Sequence, residues 1–267
     1  MPQSETSSSK TMSADAKLRD GLIAAARDAG QAIMQIYAGD FAASRKADHS
    51  PVTEADVAAE KIILRALADL APGVPVVAEE QSAADGLPPT IGRRFFLVDP
   101  LDGTKEFIAR NGEFTVNIAL VEDGIPVLGI VYLPARDEMY MGQVGLGALR
   151  SHGSVVLEPI AARRVPAAGA VMTISRSHAA KELVKAESFG EHIAATLVAG
   201  SSLKFCRLAE GVADIYPRFG PTMEWDTAAG HAVLLAAGGR VDTLDGVPLR
   251  YGKPGFRNTP FIARGIR

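Results

Sequence analysis

Only one cysteine, Cys206, stands in the 267 residues, which excludes an internal disulfide framework and suits a reducing compartment. Aromatic side chains are scarce at 6%, with a single tryptophan, Trp225. No apolar run approaches the roughly 20 residues that a membrane span needs; Ala232–Ala237 is typical of the longest. Neither sign of charge dominates, since Lys+Arg 28 against Asp+Glu 31 leaves a net charge of −3 and a pI near 6.0. Without a basic excess the chain is not expected to bind DNA or long RNA. Gly 26 and Pro 16 are too few for a low-complexity chain, and no solenoid repeat is visible. What remains is a chain that is 47% hydrophobic and long enough for one large core or two smaller ones. A soluble, cytoplasmic protein with no stable membrane insertion is expected.

Residues 1–13 read as a disordered tail, because Met1–Met12 is Ser/Thr-rich and lacks the apolar core of a secretory signal. A first helix is expected over Asp15–Tyr37, from Leu18, Leu22, Ala26, Ala29, Ile33 and Ile36. A second is expected over Glu54–Leu70, capped by Thr53, with Val57, Ile62, Leu64, Leu67 and Leu70 on its apolar face. It ends at Ala71-Pro72-Gly73. Strands are predicted at Val74–Ala78, Phe95–Val98, Thr115–Val121, Val127–Tyr132 and Met139–Gln143, and Ser151–Val165 as an irregular join. Beyond it the pattern predicts strands at Val171–Ser175, Thr196–Val198, Ile215–Pro217 and Gly239–Asp242. Helices are predicted near His178–Phe189, at Leu203–Gly211 and at Thr227–Ala237. Two helices followed by a run of strands point to layered α+β architecture, not a repeating parallel βαβ sheet. Two packed subdomains, 14–150 and 151–267, would place a site between them.

Four acidic features sit at the ends of these elements. Glu79-Glu80 follows the strand Val74–Ala78, and Asp99-Pro100-Leu101-Asp102-Gly103-Thr104 follows the strand Phe95–Val98. Asp56 lies in the first turn of the second helix, and Asp226 opens the helix after Trp225. Each has a plain alternative: Glu79-Glu80 as a solvated loop, Asp56 as the partner of Thr53 in a capping box, Asp226 as a helix N-cap, Asp99-Pro100 as an ordinary turn. Pro100 and Gly103 would make the segment Asp99–Thr104 a rigid turn that holds two carboxylates with the Leu101 carbonyl between them. Such carboxylates repel unless a cation neutralises them, and all-oxygen donors favour Mg²⁺ or Mn²⁺ over zinc. The histidines at 49, 152, 178, 192 and 231 form no close pair at zinc-ligand spacing. Neither a P-loop nor a dinucleotide-binding glycine pattern follows a strand; Gly142, Gly145 and Gly147 are spaced wrongly for both. Cys206, in an apolar helical setting, is expected in the core.

Taken together, Asp99–Phe107 and Trp225–Gly230 resemble the two signatures of the lithium-sensitive, magnesium-dependent phosphatases of the inositol monophosphatase superfamily. Further stretches are similar to its bacterial 3'(2'),5'-bisphosphate nucleotidase branch: Lys105–Ile108 with Arg110–Asn117, Ser175–His178, Gly200–Cys206 and Tyr216–Pro221. The resemblance implies a layered αβαβα sandwich of the inositol monophosphatase/fructose-1,6-bisphosphatase type. It implies metal ligands at Glu79, Asp99, the Leu101 carbonyl, Asp102 and Asp226, holding two or three Mg²⁺ ions for which Mn²⁺ substitutes. Catalytic roles fall on Asp56, Thr104 and Glu79, with Thr104 and Asp56 activating the attacking water. Substrate contacts fall on Gly103, Thr104, His178, Ser201, Lys204, Arg218 and Asp226. The implied reaction removes the 3'-phosphate of 3'-phosphoadenosine 5'-phosphate, giving AMP and phosphate, with the sulfated precursor as a second substrate. The partner is therefore a small nucleotide bisphosphate, and the expected assembly a monomer or homodimer. The alternatives are inositol monophosphatase or fructose-1,6-bisphosphatase activity on the same metal site, and a non-catalytic sensor of metal or nucleotide. Lys105-Glu106-Phe107 stands against the inositol branch, and the presence of Asp56 and Thr104 against the sensor.

Overall fold

The computed structural model describes residues 5–45, 51–153, 157–175 and 192–266, with no account of side chains for 5–15, 45 and 51. Helix α1 (Glu5–Ala38) leads through β1 (Ala43–Arg45) and β2 (Pro51–Thr53), an antiparallel pair, into α2 (Glu54–Leu70). Then follow β3 (Val76–Ala78), α3 (Glu79–Asp85), β4 (Arg94–Asp102), α4 (Thr104–Ile108), β5 (Thr115–Glu122) and β6 (Ile125–Leu133). Strands β7 (Glu138–Gln143), β8 (Gly147–His152) and β9 (Glu158–Ile160) finish a seven-stranded sheet in the order β3-β4-β5-β6-β7-β8-β9. Only the β3–β4 pair is parallel; the rest is an antiparallel meander.

The second half comprises β10 (Ala170–Ile174), β11 (Ile193–Val198), α5 (Leu203–Ala209), β12 (Ile215–Arg218), α6 (Ala228–Ala236), β13 (Arg240–Thr243) and β14 (Phe261–Arg264). Its five strands are ordered β11-β10-β12-β14-β13. Alternation along the strands divides the large sheet into two faces. Phe96, Val98, Ile118 and Ile130 meet Leu22, Ala26 and Ile33 of α1 and Ala59 and Ile63 of α2. Phe95, Leu97, Ala119 and Val131 face Phe205 of α5 and Ala229 and Val233 of α6. Because both faces are covered, these strands are apolar throughout. Helix α6 lies close on the sheet because Gly129 and Gly142 have no side chain: a Cβ there would stand 2.4 Å from the Ala229 carbonyl oxygen and the Val233 Cα respectively.

The layers run α1/α2, large sheet, α5/α6, small sheet. The helix expected near His178–Phe189, which would supply the outer layer, lies outside the described residues. Among the described residues no helix is long and apolar enough to cross a membrane.

Several sequence expectations need correction. The tail is helical from Glu5, because no glycine or proline interrupts the chain between Glu5 and Gly21 and a packed helix propagates through polar residues. The buried face of α2 is Ala55, Asp56, Ala59, Glu60, Ile63 and Leu67, while Val57 is exposed. Small alanines let α2 sit against α1, and its two acids turn inward because each meets hydrogen-bond donors. Asp99–Asp102 is not a separate turn but the irregular end of β4, with a register shift opposite β5. The join Ser151–Val165 carries the end of β8 and all of β9, so the first sheet extends past residue 150. Strands β1, β2 and β14 and helix α3 were not foreseen.

Candidate metal centre and substrate cleft

The apolar run of β4 stops at Asp99, and the register of β3 beside it brings Ala78 level with Val98. Glu79 therefore emerges next to Asp99. Its orientation is set by Glu60 of α2, whose Oε2 and Oε1 accept from the Glu80 and Gln81 backbone N–H groups, both at 2.7 Å. Those groups are orphan donors at the start of α3, whose N-cap Ala78 offers no side-chain acceptor. From the other half of the molecule Asp226 completes the cluster: Glu79, Asp99 and Asp226 each present a carboxylate oxygen, all within 4.8 Å of one another. Burial, then the charges of Asp102 and Glu79, push the Asp226 carboxyl well above the usual carboxylate range. Three hard oxygen donors forced together in this way fit a divalent cation, which would remove that repulsion.

Asp56 makes both the capping contact and the contact to Thr104. Its Oδ2 accepts from the Thr53 N–H (2.8 Å) and hydroxyl (2.7 Å), forming the capping box of α2. Its Oδ1 accepts from the Thr104 hydroxyl at 3.3 Å. Thr104 opens α4 directly after Gly103, whose φ of 94° favours glycine and turns the chain from strand to helix. The Leu101 carbonyl lies 3.5 Å from the same hydroxyl, and the Leu101 N–H donates to Asp99 Oδ1 at 3.0 Å. Asp102 is turned differently: its Oδ2 accepts from the hydroxyls of Ser201 (2.6 Å) and Ser202 (3.3 Å), across the seam between the halves. Ser202 was not foreseen; it chiefly bonds the Asp226 carbonyl, at 2.7 Å.

Glu79, Asp99, Leu101, Asp102, Thr104 and Asp226 line one cleft of about 1270 Å³ between the halves, together with Ser201, Lys204 and Arg218; Asp56 stands behind Thr104. Lys204 is buried, donating from Nζ to the Ser201 carbonyl at 2.8 Å and lying 5.3 Å from the Tyr216 ring centroid. Arg218 donates to the Pro221 carbonyl at 3.3 Å. Ser201 adopts the left-handed region, φ 52°, and its hydroxyl is committed to Asp102 and Thr115. Burial holds the Glu106 carboxyl in this cleft above its usual range. His178 lies outside the described residues. Cys206 is fully buried, which pushes its thiol up, so it is a core residue.

Sequence reasoning missed Glu60, Arg257 and Asn258. Glu60 had a signal: with Asp56 it forms an i,i+4 pair of acids on a helix otherwise rich in alanine and leucine. Arg257 is exposed, lines the cleft and has no side-chain partner among the described residues. Nothing local marks Arg257 or Asn258.

With this arrangement in view, the model of the inositol monophosphatase family matches residues 15–262. The chain belongs to that family. Among its relatives, the 3'(2'),5'-bisphosphate nucleotidase CysQ of Shigella flexneri is 49% identical over 246 residues, covering 87% of this chain and 95% of that protein. The protein of the same name from Escherichia coli K12 is 48% identical with the same coverage. Of the solved structures, CysQ from Bacteroides thetaiotaomicron superposes with a TM-score of 0.77 at 38% identity, over 93% of this chain and 97% of that one. An inositol monophosphatase from Zymomonas mobilis gives 0.74 at 27% identity, over 93% and 92%. The expected sandwich is thus the fold of the chain.

Proposed function

We propose that this chain is a metal-dependent phosphatase that removes the 3'-phosphate of 3'-phosphoadenosine 5'-phosphate, giving AMP and phosphate. The observation that carries the reading is the closure of Glu79 and Asp99 with Asp226, beside the Thr104–Asp56 pair, in a cleft whose far wall carries Lys204 and Arg218. Glu79, Asp99, the Leu101 carbonyl, Asp102 and Asp226 would hold the metal, two or three Mg²⁺ ions with Mn²⁺ able to replace them. Bound divalent cations neutralise phosphate charge and lower the pKa of water, which the uncatalysed hydrolysis lacks.

The protein's own contribution is positioning and proton transfer. The Thr104 hydroxyl donates to Asp56, so its lone pairs face the cleft and accept a proton from the attacking water as its own proton passes toward Asp56. Asp56 stays oriented throughout because Thr53 holds its other oxygen from two donors. Transfer is directly to water, with no phospho-enzyme. Lys204 and Arg218 suit the second phosphate of a bisphosphate, and the Arg257 guanidinium, which has no partner among the described residues, gives a third cation lining the cleft. His178, Ser201 and Gly103 complete the proposed substrate contacts. The relatives named as bisphosphate nucleotidases support the same substrate. Sensitivity to Li⁺ and action on the sulfated precursor belong to this reading.

Phosphate release from 3'-phosphoadenosine 5'-phosphate, inositol 1-phosphate and fructose 1,6-bisphosphate tests it, each with Mg²⁺, with EDTA and with Mg²⁺ plus Li⁺. Preference for the adenosine bisphosphate, abolished by EDTA and reduced by Li⁺, is expected. Preference for a sugar phosphate would overturn the assignments of Lys204, Arg218 and Arg257.

A further inference from the structure

Asp226 is the one cluster carboxylate that comes from the second half, and it stands on an irregular loop instead of a strand end. The loop 222–227 lies in a cradle made by residues 251–258. The Glu224 N–H donates to the Phe256 carbonyl at 2.8 Å, and the Asn258 N–H to the Thr222 carbonyl at 3.0 Å. The fully buried Glu224 carboxylate accepts from the Gly252 and Lys253 N–H groups at 2.6 and 3.0 Å. At the centre of the cradle is the side-chain amide of Asn258. Its Nδ2 stands 2.8 Å from the Met223 carbonyl, 2.9 Å from Thr227 Oγ1 and 3.2 Å from Thr222 Oγ1, while its Oδ1 faces Lys253 Nζ at 3.3 Å. The opposite amide orientation would set Oδ1 against the Met223 carbonyl, so this orientation is fixed by chemistry.

We infer that Asn258 is a positioning residue for Asp226. Met223 is the link: Asn258 holds its carbonyl, and its N–H donates to Asp226 Oδ2 at 2.8 Å. Thr227, on the other side of Asp226, is held by the same amide. The outer members of the network are satisfied without touching Asp226. Thr227 Oγ1 donates to the Glu224 carbonyl (3.2 Å) and accepts from Asn258 and from the Tyr251 hydroxyl (3.3 Å). Tyr251, having given its proton to Thr227, accepts from His231 Nδ1 at 3.0 Å, which assigns the Nδ1–H tautomer to this buried imidazole. Residues near the C-terminus thereby set the direction of a carboxylate more than 30 positions upstream. Groups that orient metal ligands from behind change metal affinity by roughly 10- to 100-fold when removed.

The inference rests on the metal-ligand role proposed for Asp226, and its test reads metal binding without substrate. Mn²⁺ is titrated into the purified full chain by calorimetry, with melting temperatures taken in EDTA. Asn258→Ala is expected to weaken Mn²⁺ binding about tenfold. Asn258→Asp is expected to weaken it further, since a carboxylate oxygen then faces the Met223 carbonyl. Tyr251→Phe, which leaves the Asn258–Met223–Asp226 chain intact, lowers the melting temperature and leaves Mn²⁺ affinity within twofold. Should Asn258→Ala fail to fold, Asn258→Ser is read in its place, with the same expectation at smaller amplitude. Wild-type Mn²⁺ affinity in the folded Asn258 variants, or an equal loss in Tyr251→Phe, would overturn the inference. A wild-type chain that binds Mn²⁺ but hydrolyses no bisphosphate nucleotide would overturn the substrate reading alone; one that binds no Mn²⁺ would overturn both.

Discussion

The two halves of the molecule deliver their share of the site by different means. The first half presents Asp56, Glu79 and Asp99 from regular elements: a capped helix start, the first residue of a helix, and the end of a strand buried on both faces. Asp56 and Asp99 are oriented by neighbours in sequence, Thr53 and the Leu101 N–H, and Glu79 by Glu60 of the packed helix α2. The second half presents Asp226 from a loop, and its orientation comes from the cradle 251–258. A site divided this way combines a rigid wall with a wall whose geometry depends on distant side chains. The seam between them is stitched by Ser201 and Ser202 on Asp102, and by the Gly200 N–H on the Glu113 carboxylate at 3.1 Å.

The comparison can be broken most severely on the rigid wall. Thr104→Ala removes the hydroxyl that relays a proton to Asp56 and is expected to lower kcat by about 10²- to 10⁴-fold. Thr104→Ser retains most activity, and Mn²⁺ affinity is unchanged in both. Equal loss in the serine variant would place the role of Thr104 in packing of its methyl group.

A smaller effect is expected from Glu60→Ala. Two backbone donors at the start of α3 lose their acceptor, at a cost of about 2 kcal/mol in stability. Metal affinity falls about tenfold because Glu79 is no longer fixed. Urea unfolding and Mn²⁺ titration measure the two separately, and a loss of stability without loss of affinity would show that α3 aims Glu79 without help.

The mildest probe concerns acid sensitivity of the second half. Burial lowers the pKa of His231 from 6.5 to about 3. Below pH 6.5 the unfolded chain binds a proton that the folded chain refuses until about pH 3, so stability falls as pH drops through that window. His231→Gln removes this component. Its stability relative to wild type, followed by urea unfolding, is expected to improve steadily from pH 7 to pH 4, and a constant difference would contradict the buried neutral imidazole.

How much of this was legible in the sequence follows the same division. Helix α2, its Thr53 cap and the ends at Glu54 and Leu70 were readable because capping and termination are local. The acids of β4 were readable because Asp-Pro-Leu-Asp-Gly-Thr packs charge, a fixed φ and a permissive glycine into six residues. Helix α3 was not readable, since its N-terminus is satisfied by Glu60 from another helix and its sequence alone reads as a loop. The inward face of α2 was misread because large apolar residues were weighed above alanine, whereas close packing on α1 selects the small ones. The cradle of Asp226 left no trace at all: Asn258 and Arg257 follow a Pro-Gly-Phe turn with nothing to tie them to residue 226 except the fold.

The central claim is that carboxylates from both halves close one metal centre. It is tested most directly by the Mg²⁺-dependent thermal stability of the wild type and of Asp226→Asn. With Mg²⁺ at about 100 times its Kd the wild type should gain about 2.7 kcal/mol over its stability in EDTA. Asp226→Asn should lose most of that gain while matching or exceeding the wild type in EDTA, because it no longer adds charge beside Asp102 and Glu79. A variant that responds to Mg²⁺ as the wild type does would show that the second half contributes no ligand.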